Sequence, residues 1–505
     1  MNTKQNPNLS TNRRAYLWLV LFALLNLFTS GKWIVAPLVW VAPVFALRFV
    51  HGQKVLKGFV LVWLAIFIPS TITWYKLQPM PMPAYLIFMA VAALFGALPL
   101  LFDRLLTPRL RPRFVATLIY PLAITAIEYL TMSFGNPTGS FGAQGYSQYG
   151  LPVIMQLASV TGLWGITFLT NWFASVVNWM WEQDFNWRRV RRGVAVYVAI
   201  LVLVIVYGGG RLLFAPETEE TVTVASFTTA ETHARELFAL LEADEDAFRQ
   251  QTTATHVAYL NQTVEAARNG AEIVMWPEQA GFGLEKDVLA LLEQGQVIAR
   301  EEGIYLAMPV FIIFPDRERL IENKLFIADP SGEFVIEHVK YGGNAIEGTL
   351  PGDGTLQTVE TPYGVLSGII CWDTDYPLTV TQAGRNNVDI LLSPSLVWRE
   401  MGTMHAAMAT FRAVENGTTI VRQEDQGLSL AVDSYGRTIA TADHFAGERM
   451  MQVEVPAASG VFTIYPVIGD AVGQLAILGF VGMALWAIIA GRRAKRRAAP
   501  NRLPH

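Results

Sequence analysis

Cysteine is nearly absent from this sequence, because the 505 residues contain only Cys371. A single cysteine cannot form a disulfide within the chain, so a disulfide-stapled fold is excluded. Histidine is also scarce, and the seven histidines lack the spacing of metal ligands. The three glycines at positions 208–210 end an apolar stretch instead of following a strand, which excludes a phosphate-binding loop. The sequence therefore predicts neither a metal nor a cofactor.

Charged residues are few as well, at 16% of the chain, while hydrophobic residues reach 52% and the mean hydropathy is +0.33. This composition excludes an ordinary soluble protein. A membrane-spanning helix takes about 20 apolar residues. Eight stretches approach or exceed that length: residues 15–30, 33–50, 57–75, 84–102, 114–132, 155–181, 194–209 and 465–490. They predict a multi-pass helical membrane bundle, with seven helices in residues 1–212 and an eighth in residues 465–491.

Positive charges alternate between the short connections of this bundle. Lys and Arg are concentrated near the N-terminus, after the second, fourth and sixth stretches, and in the tail 492–505, whereas the intervening short loops carry only Lys32 and Lys76. Because cytoplasmic loops are rich in Lys and Arg, we predict that both termini are cytoplasmic and that residues 221–456 lie on the outer face. We interpret the basic clusters as topological anchors and predict no nucleic-acid partner.

Residues 221–456 have the pattern of a separate α/β domain inserted before the last helix. Strand-like runs alternate with helical ones, and Asp-Pro-Ser-Gly at 329–332 and Asp-Ser-Tyr-Gly at 433–436 predict hairpin turns. Strands are predicted at 221–227, 271–275, 304–314, 332–340, 365–371, 388–393 and 418–422, and helices at 243–269, 378–386 and 402–416. This order predicts a layered α/β domain with a mixed sheet and with active groups at strand ends.

Three chemically useful side chains follow or end such strands. Cys371 ends the apolar run that begins at Val365, Glu278 follows the strand at 271–275, and Lys340 ends the strand at 332–340. A thiol is mostly protonated at neutral pH, so a nucleophilic cysteine needs a base or a nearby positive charge. Glu278 is the candidate base, and Lys340 is the candidate cation for a thiolate or an oxyanion. Each residue alone could be an ordinary strand-end side chain, but together they predict a catalytic site.

The three motifs resemble those of the nitrilase, or carbon–nitrogen hydrolase, superfamily, which uses a Glu-Lys-Cys triad. The matching sequences are Met-Trp-Pro-Glu278, Lys340 after the Asp-Pro-Ser-Gly turn, and Ile-Ile-Cys371-Trp-Asp. Eight apolar stretches around one such domain resemble the membrane-bound branch of the superfamily, the apolipoprotein N-acyltransferase family. Further matching segments lie at 145–148, 156–158, 162–168, 411–416 and 432–437. The resemblance covers essentially the whole chain and implies an αββα sandwich for the inserted nitrilase-like domain.

The resemblance also implies a two-step acyl transfer at the periplasmic face of the bacterial inner membrane. Cys371 would take a fatty acyl chain from a phospholipid as a thioester, and the α-amine of the diacylglyceryl-cysteine of an apolipoprotein would accept it. Glu278 would act as base and then as acid, and Lys340 would hold the oxyanion. Glu347 and Asp373 stand where the family has glutamates after the lysine and after the cysteine, so both are possible supporting residues.

Two alternatives remain open at this point. The same thioester could pass its acyl group to water, which would make the protein a membrane-tethered amidase or nitrilase. A membrane scaffold with a degenerate nitrilase-like domain is the other alternative, and the presence of the only cysteine at the triad position argues against it. The loop 134–149 carries four aromatic residues and no charge, which favours a lipid-facing substrate.

Overall fold

The computed structural model of the chain describes residues 13–78, 80–135, 139–216, 220–229, 234–316 and 319–498. Residues 1–12 of the predicted cytoplasmic N-terminus, 136–138 of the loop 134–149 and 499–505 of the predicted basic tail lie outside the described residues. The described residues before the inserted domain contain the helices α1 (Arg13–Asn26), α2 (Ala36–His51), α3 (Val55–Thr73), α4 (Met82–Leu110), α5 (Ile119–Leu130), α6 (Pro152–Met155), α7 (Ala158–Glu182) and α8 (Trp187–Leu213).

Among the described residues, six helical segments are long and apolar enough to cross a membrane: Val55–Thr73, Met82–Arg109, Phe114–Phe134, Ala158–Glu182, Trp187–Leu213 and Ala471–Ala494. Two shorter apolar helices, Ala15–Asn26 and Ala36–His51, lie at the first two predicted stretches. Side chains such as Leu203, Val206 and Leu478 are exposed on the outside of the bundle, as expected for a surface that faces lipid. The prediction of a helical membrane bundle with an inserted nitrilase-like domain is confirmed.

The predicted stretch 155–181 is interrupted near its start. Helix α7 is kinked near its start, because Gly162 has φ 61° and ψ −166° inside the helix. A Cβ atom at this position would lie 2.4 Å from the ring of Tyr465, so the close approach of that ring requires glycine. At this break the N-terminal end of α7 lies against the segment that follows the inserted domain.

The inserted domain consists of alternating strands and helices. Its first half contains β1 (Thr221–Phe227), α9 (Ala234–Ala243), α10 (Glu245–Arg268), β2 (Ile273–Met275), β3 (Gly281–Leu284), α11 (Glu285–Glu302), β4 (Tyr305–Ile313), β5 (Glu322–Ala328), β6 (Phe334–Val339) and α12 (Asn344–Glu347). Its second half contains β7 (Thr358–Thr361), β8 (Gly364–Gly368), α13 (Pro377–Arg385), β9 (Ile390–Leu396), α14 (Gly402–Asn416), β10 (Thr419–Asp425), β11 (Leu428–Val432), β12 (Thr438–Asp443) and β13 (Met450–Pro456). The short helix α15 (Tyr465–Ile468) and the long helix α16 (Ala471–Ala498) follow.

The strands form two sheets that pack face to face. The first has the order β13-β1-β2-β4-β5-β6, with β3 paired to β4, and the second has the order β12-β11-β10-β9-β8-β7. Residues such as Val224 and Leu325 of the first sheet pack against Leu366, Leu392 and Val421 of the second. Helices α10 and α11 cover the outer face of the first sheet, and α13 and α14 cover that of the second. The result is the four-layer αββα sandwich.

The parallel pairing within each sheet gathers the candidate residues. β1, β2 and β4 run parallel in the first sheet, and β8, β9 and β10 run parallel in the second. β6 is antiparallel to β5, which is antiparallel to β4, so β6 has the same direction as β2 and β4. The carboxyl ends of β2 and β6 therefore lie at one edge of the first sheet, and Glu278 and Lys340 follow them, while Cys371 follows β8 of the facing sheet.

Candidate active site

Cys371 stands at a sharp turn between β8 and a 3₁₀ helix, Cys371–Asp375. Its φ of 46° is unusual for a residue with a side chain and must be held in place by its surroundings. The Thr374 hydroxyl donates to the Cys371 carbonyl oxygen at 2.7 Å. The Asp373 carboxylate accepts from the Ile370 N–H at 2.9 Å across the same turn. These bonds fix the backbone so that the thiol projects from the end of the strand, although only 2% of the residue is exposed.

Glu278 and Lys340 form a fully buried ion pair beside this turn. The Lys340 Nζ atom lies 2.7 Å from Glu278 Oε1, and neither side chain exposes more than 2% of its surface. The same Glu278 oxygen accepts from the Asn323 amide at 2.8 Å. Ions removed from water need both a counter-charge and hydrogen bonds to persist, and this pair has both.

The main chain of Leu396 connects Glu278 to Cys371. The Leu396 N–H donates to Glu278 Oε2 at 3.0 Å, and its carbonyl oxygen accepts from the Cys371 thiol at 3.5 Å. The three residues predicted from the sequence are thus brought together in one buried cluster. Lys340 bonds Glu278, and one residue at the end of β9 bridges Glu278 and the thiol.

Burial and neighbouring charges control protonation in this cluster. Burial raises the pKa of the Cys371 thiol well above its ordinary value, and the Glu278 carboxylate adds to this effect, while Lys340 and Arg422 oppose it. Burial alone would lower the pKa of Lys340, but Glu278 and Glu347 outweigh it and raise that pKa well above its ordinary range. The resting site therefore contains a protonated thiol and a charged ammonium beside the Glu278 carboxylate.

Glu347 and Asp373 occupy different positions around this cluster. Glu347, at the end of α12, accepts a hydrogen bond from the Lys340 ammonium. Asp373 does not contact any of the three predicted residues through its side chain in the hydrogen bonds described. Instead, it accepts from the Tyr341 and Gly342 N–H groups at 2.9 and 2.7 Å and from His338 Nε2 at 2.7 Å. Asp373 therefore ties the backbone after Lys340 to the backbone around Cys371.

Sequence reasoning missed a second group of charged residues next to the thiol. Arg422 on β10 is fully buried, and its Nη2 atom lies 4.0 Å from Cys371 Sγ. It also contacts Glu424 through Nε and His405 Nδ1 through Nη2, the latter at 2.9 Å. A signal was present, because the buried strand β10 ends in the run Arg422-Gln-Glu-Asp, in which charges occupy positions that a core strand fills with apolar residues.

The loop between α5 and α6 covers the cysteine turn from the side of the membrane bundle. Ser140 donates through its N–H and its hydroxyl to the Asp375 carbonyl oxygen, at 2.6 and 2.7 Å. Phe141 is buried and stacks edge-on against His405, with 5.8 Å between ring centroids. A cavity of about 490 Å³ lies beside this loop and is lined from both the bundle and the sandwich, including Trp74, Tyr146 and Met404.

Comparisons with known proteins agree with the fold. The inserted domain matches the carbon-nitrogen hydrolase family over residues 228–463. Residues 17–176 match the apolipoprotein N-acyltransferase N-terminal domain. An apolipoprotein N-acyltransferase of Geobacter metallireducens is 24% identical and covers 95% of this chain and 96% of its own length. One from Bradyrhizobium diazoefficiens is 27% identical over 82% of this chain and 79% of its own length. An amidase structure from Nesterenkonia sp. is 20% identical, with a TM-score of 0.37, over 46% of this chain and 90% of that chain.

The match over residues 228–463, together with the αββα fold, defines the class: the inserted domain is that of a carbon–nitrogen hydrolase superfamily enzyme. Both the bundle and the domain match one membrane-bound branch, so the chain belongs to the apolipoprotein N-acyltransferase family. The resemblance inferred from the sequence is confirmed, and the protein is an acyltransferase of this superfamily embedded in a membrane.

Proposed function

We propose that this protein transfers a fatty acyl chain from a phospholipid to the α-amine of the diacylglyceryl-cysteine of apolipoproteins, through a thioester on Cys371. One observation carries the proposal. A buried carboxylate, Glu278, is bonded on one oxygen to the Lys340 ammonium and on the other to the Leu396 peptide that receives the thiol. This geometry suits a thiol that loses its proton to Glu278 as it attacks a carbonyl.

The first half-reaction follows from this arrangement. The Cys371 sulfur forms a bond to the ester carbonyl carbon while Glu278 accepts the thiol proton, and the Lys340 ammonium stabilises the oxyanion that develops. When the tetrahedral intermediate breaks down, the ester C–O bond breaks and Glu278 returns the proton to the departing lysophospholipid alkoxide. In the second half-reaction, the amide C–N bond forms while Glu278 accepts a proton from the attacking amine, and the C–S bond then breaks as Glu278 returns that proton to the Cys371 sulfur.

We assign supporting roles to Glu347 and Asp373. Glu347 shares the ammonium with Glu278 and thereby holds Lys340 in place without contacting the thiol in the hydrogen bonds described. Asp373 positions the turn of Cys371 relative to the backbone that follows Lys340. Both act through other residues, so we expect their loss to reduce activity less than the loss of Glu278.

The membrane bundle fits substrates that are themselves anchored in lipid. The apolar cavity beside the loop 139–149 has room for part of an acyl chain, and Ser140 connects this loop directly to the cysteine turn. We place the catalytic domain, residues 221–456, on the periplasmic face of the inner membrane and both termini in the cytoplasm. The alternation of Lys and Arg between the short loops supports this orientation.

The experiment that tests this function follows the acyl group. Purified protein in detergent is incubated with phospholipid alone, and intact mass spectrometry measures an acyl adduct on the single cysteine. A diacylated lipopeptide with a free α-amine is then added, and we expect the adduct to disappear as a triacylated peptide forms. Steady release of free fatty acid without transfer to the peptide would favour the alternative, a membrane-tethered hydrolase.

A further inference from the structure

The positive charge of Lys340 is balanced by neighbouring carboxylates, so Lys340 stabilises a thiolate less than its position alone suggests. Its ammonium lies 2.7 Å from the Glu278 carboxylate and is also bonded to the Glu347 carboxylate. One cation shared by two anions leaves this part of the site with a net negative charge. A buried thiolate in such surroundings needs positive charge from another group.

Arg422 is a second cation beside the thiol. Its Nη2 atom is 4.0 Å from Cys371 Sγ, and its Nη1 atom donates to the Cys371 carbonyl oxygen at 3.3 Å. Nη1 also reaches the hydroxyls of Thr374 and Ser393, at 3.2 and 3.3 Å. The guanidinium thus contacts both the reacting sulfur and the strained backbone that presents it.

The hydrogen bonds of His405 fix how the guanidinium is directed. An arginine can only donate, so His405 Nδ1, 2.9 Å from Arg422 Nη2, must be the acceptor. The other ring nitrogen then carries the proton and donates to Asp375 Oδ2 at 3.1 Å. One Nη2 hydrogen is used by His405, which leaves the second hydrogen for the sulfur.

The counterion of Arg422 is Glu424, which bonds a different guanidinium nitrogen from the two that contact the cysteine turn and His405. Glu424 bonds the Nε atom, and neither Nη atom has a carboxylate partner in the hydrogen bonds described. The charges that act on the thiol are therefore Glu278 and Glu424, which disfavour the thiolate, and Lys340 and Arg422, which favour it. Among these four groups, Arg422 is the cation whose donors point toward the thiol without an intervening carboxylate.

We propose that Arg422 is a further catalytic residue, which stabilises the Cys371 thiolate by a charge-assisted hydrogen bond, and that His405 and Asp375 are positioning residues that direct it. The proposal rests on the proposed function only in taking Cys371 as the nucleophile. The proposal predicts the reactivity of the Cys371 thiol, which can be measured without lipid or peptide.

The test is the rate at which iodoacetamide alkylates the full-length protein in detergent, read by intact mass. Because Cys371 is the only cysteine, every adduct reports on this site. The rate at neutral pH is proportional to the thiolate fraction, so Arg422→Gln should slow alkylation about tenfold or more. Glu424→Gln removes a negative charge near the thiol and should speed alkylation. Arg422→Lys retains the positive charge but lacks the planar guanidinium group, so it should give an intermediate alkylation rate.

Arg412 provides the matched control, because it is an equally buried arginine that pairs with Glu415 and does not contact the thiol in the bonds described. Arg412→Gln should leave the alkylation rate within about twofold of the original protein. Equal slowing by the Arg422 and Arg412 variants, or slowing by Glu424→Gln, would overturn the proposal. If Arg422→Gln does not fold, the opposite signs expected for Arg422→Lys and Glu424→Gln decide the question. Failure of the original protein to transfer acyl groups would affect the proposed function and leave this result unchanged.

Discussion

Replacing Glu278 with glutamine should separate the two effects that this carboxylate has on Cys371. The substitution preserves the size of the side chain but removes its charge and its capacity to accept a proton. Loss of a positioned general base costs about 10²–10⁴-fold in rate, which corresponds to about 3–5 kcal/mol in the activation barrier. We therefore expect acyl-enzyme formation from phospholipid to slow by that factor.

The thiol should respond in the opposite direction. The Glu278 carboxylate raises the pKa of Cys371, so its removal lowers that pKa and increases the thiolate fraction at neutral pH. Alkylation by iodoacetamide should accelerate in the variant that has lost acyl transfer. Cooperative thermal unfolding of the variant would distinguish this pair of changes from a general loss of structure.

The structural cost of this substitution can be worked out from the hydrogen bonds. The carboxylate accepts from Lys340 and Asn323 on one oxygen and from the Leu396 N–H on the other. Glutamine keeps the first oxygen but places an NH₂ group against the Leu396 N–H, so one buried donor loses its acceptor at a cost of about 1–3 kcal/mol. Thermal unfolding measures this loss separately, and Glu347→Gln serves as a control that alters the other partner of Lys340. Acyl-enzyme formation within a few-fold of the original rate in Glu278→Gln would refute its role as the base.

Three further predictions follow from the same geometry. Cys371→Ser should abolish acyl-enzyme formation while the protein still inserts and keeps its melting temperature, because one atom changes but the thiolate is lost; near-normal turnover of the purified variant would remove Cys371 from the mechanism. A protease added to spheroplasts should cleave within residues 221–456 and leave the tail 492–505 intact, whereas the reverse pattern would overturn the proposed orientation. Gly139→Ala should increase the release of free fatty acid relative to transfer to the peptide, because a Cβ atom there would lie 2.3 Å from the Asp375 carbonyl oxygen and displace the loop between α5 and α6. An unchanged ratio of the two products would show that this loop does not exclude water.

The strand ends were predictable from the sequence because apolar runs that finish in a polar residue have a direct structural meaning. The predicted strand 221–227 and helix 402–416 coincide with β1 and α14 as the structure has them. β3 and β7 were not predicted, since each has only four residues and little contrast between its faces. The order of strands within the sheets depends on contacts between distant residues, which no local pattern records.

The two groups of site residues also differed in how far the sequence predicted them. Glu278, Lys340 and Cys371 each follow or end an apolar strand, and the sequence predicted that an α/β domain gathers such residues into one site. Arg422 reaches the thiol from inside a strand, and His405 contacts Arg422 from a helix, where polar or charged buried residues are an exception to the composition of these elements. Their roles depend on side-chain directions in the folded domain, and the sequence offered only the unusual density of charge in β10.

Asp375 connects the covering loop to the chemistry of the thiol. Its carbonyl oxygen accepts both hydrogen bonds from Ser140, while its carboxylate accepts from His405, which in turn accepts from the guanidinium beside Cys371. A thioester must be protected from water until an amine arrives, and an activated thiolate is useful only under the same conditions. Because one residue bonds the loop and orients the cation, displacement of the loop should weaken both protection and activation. The product ratio and the alkylation rate of Gly139→Ala should therefore change together.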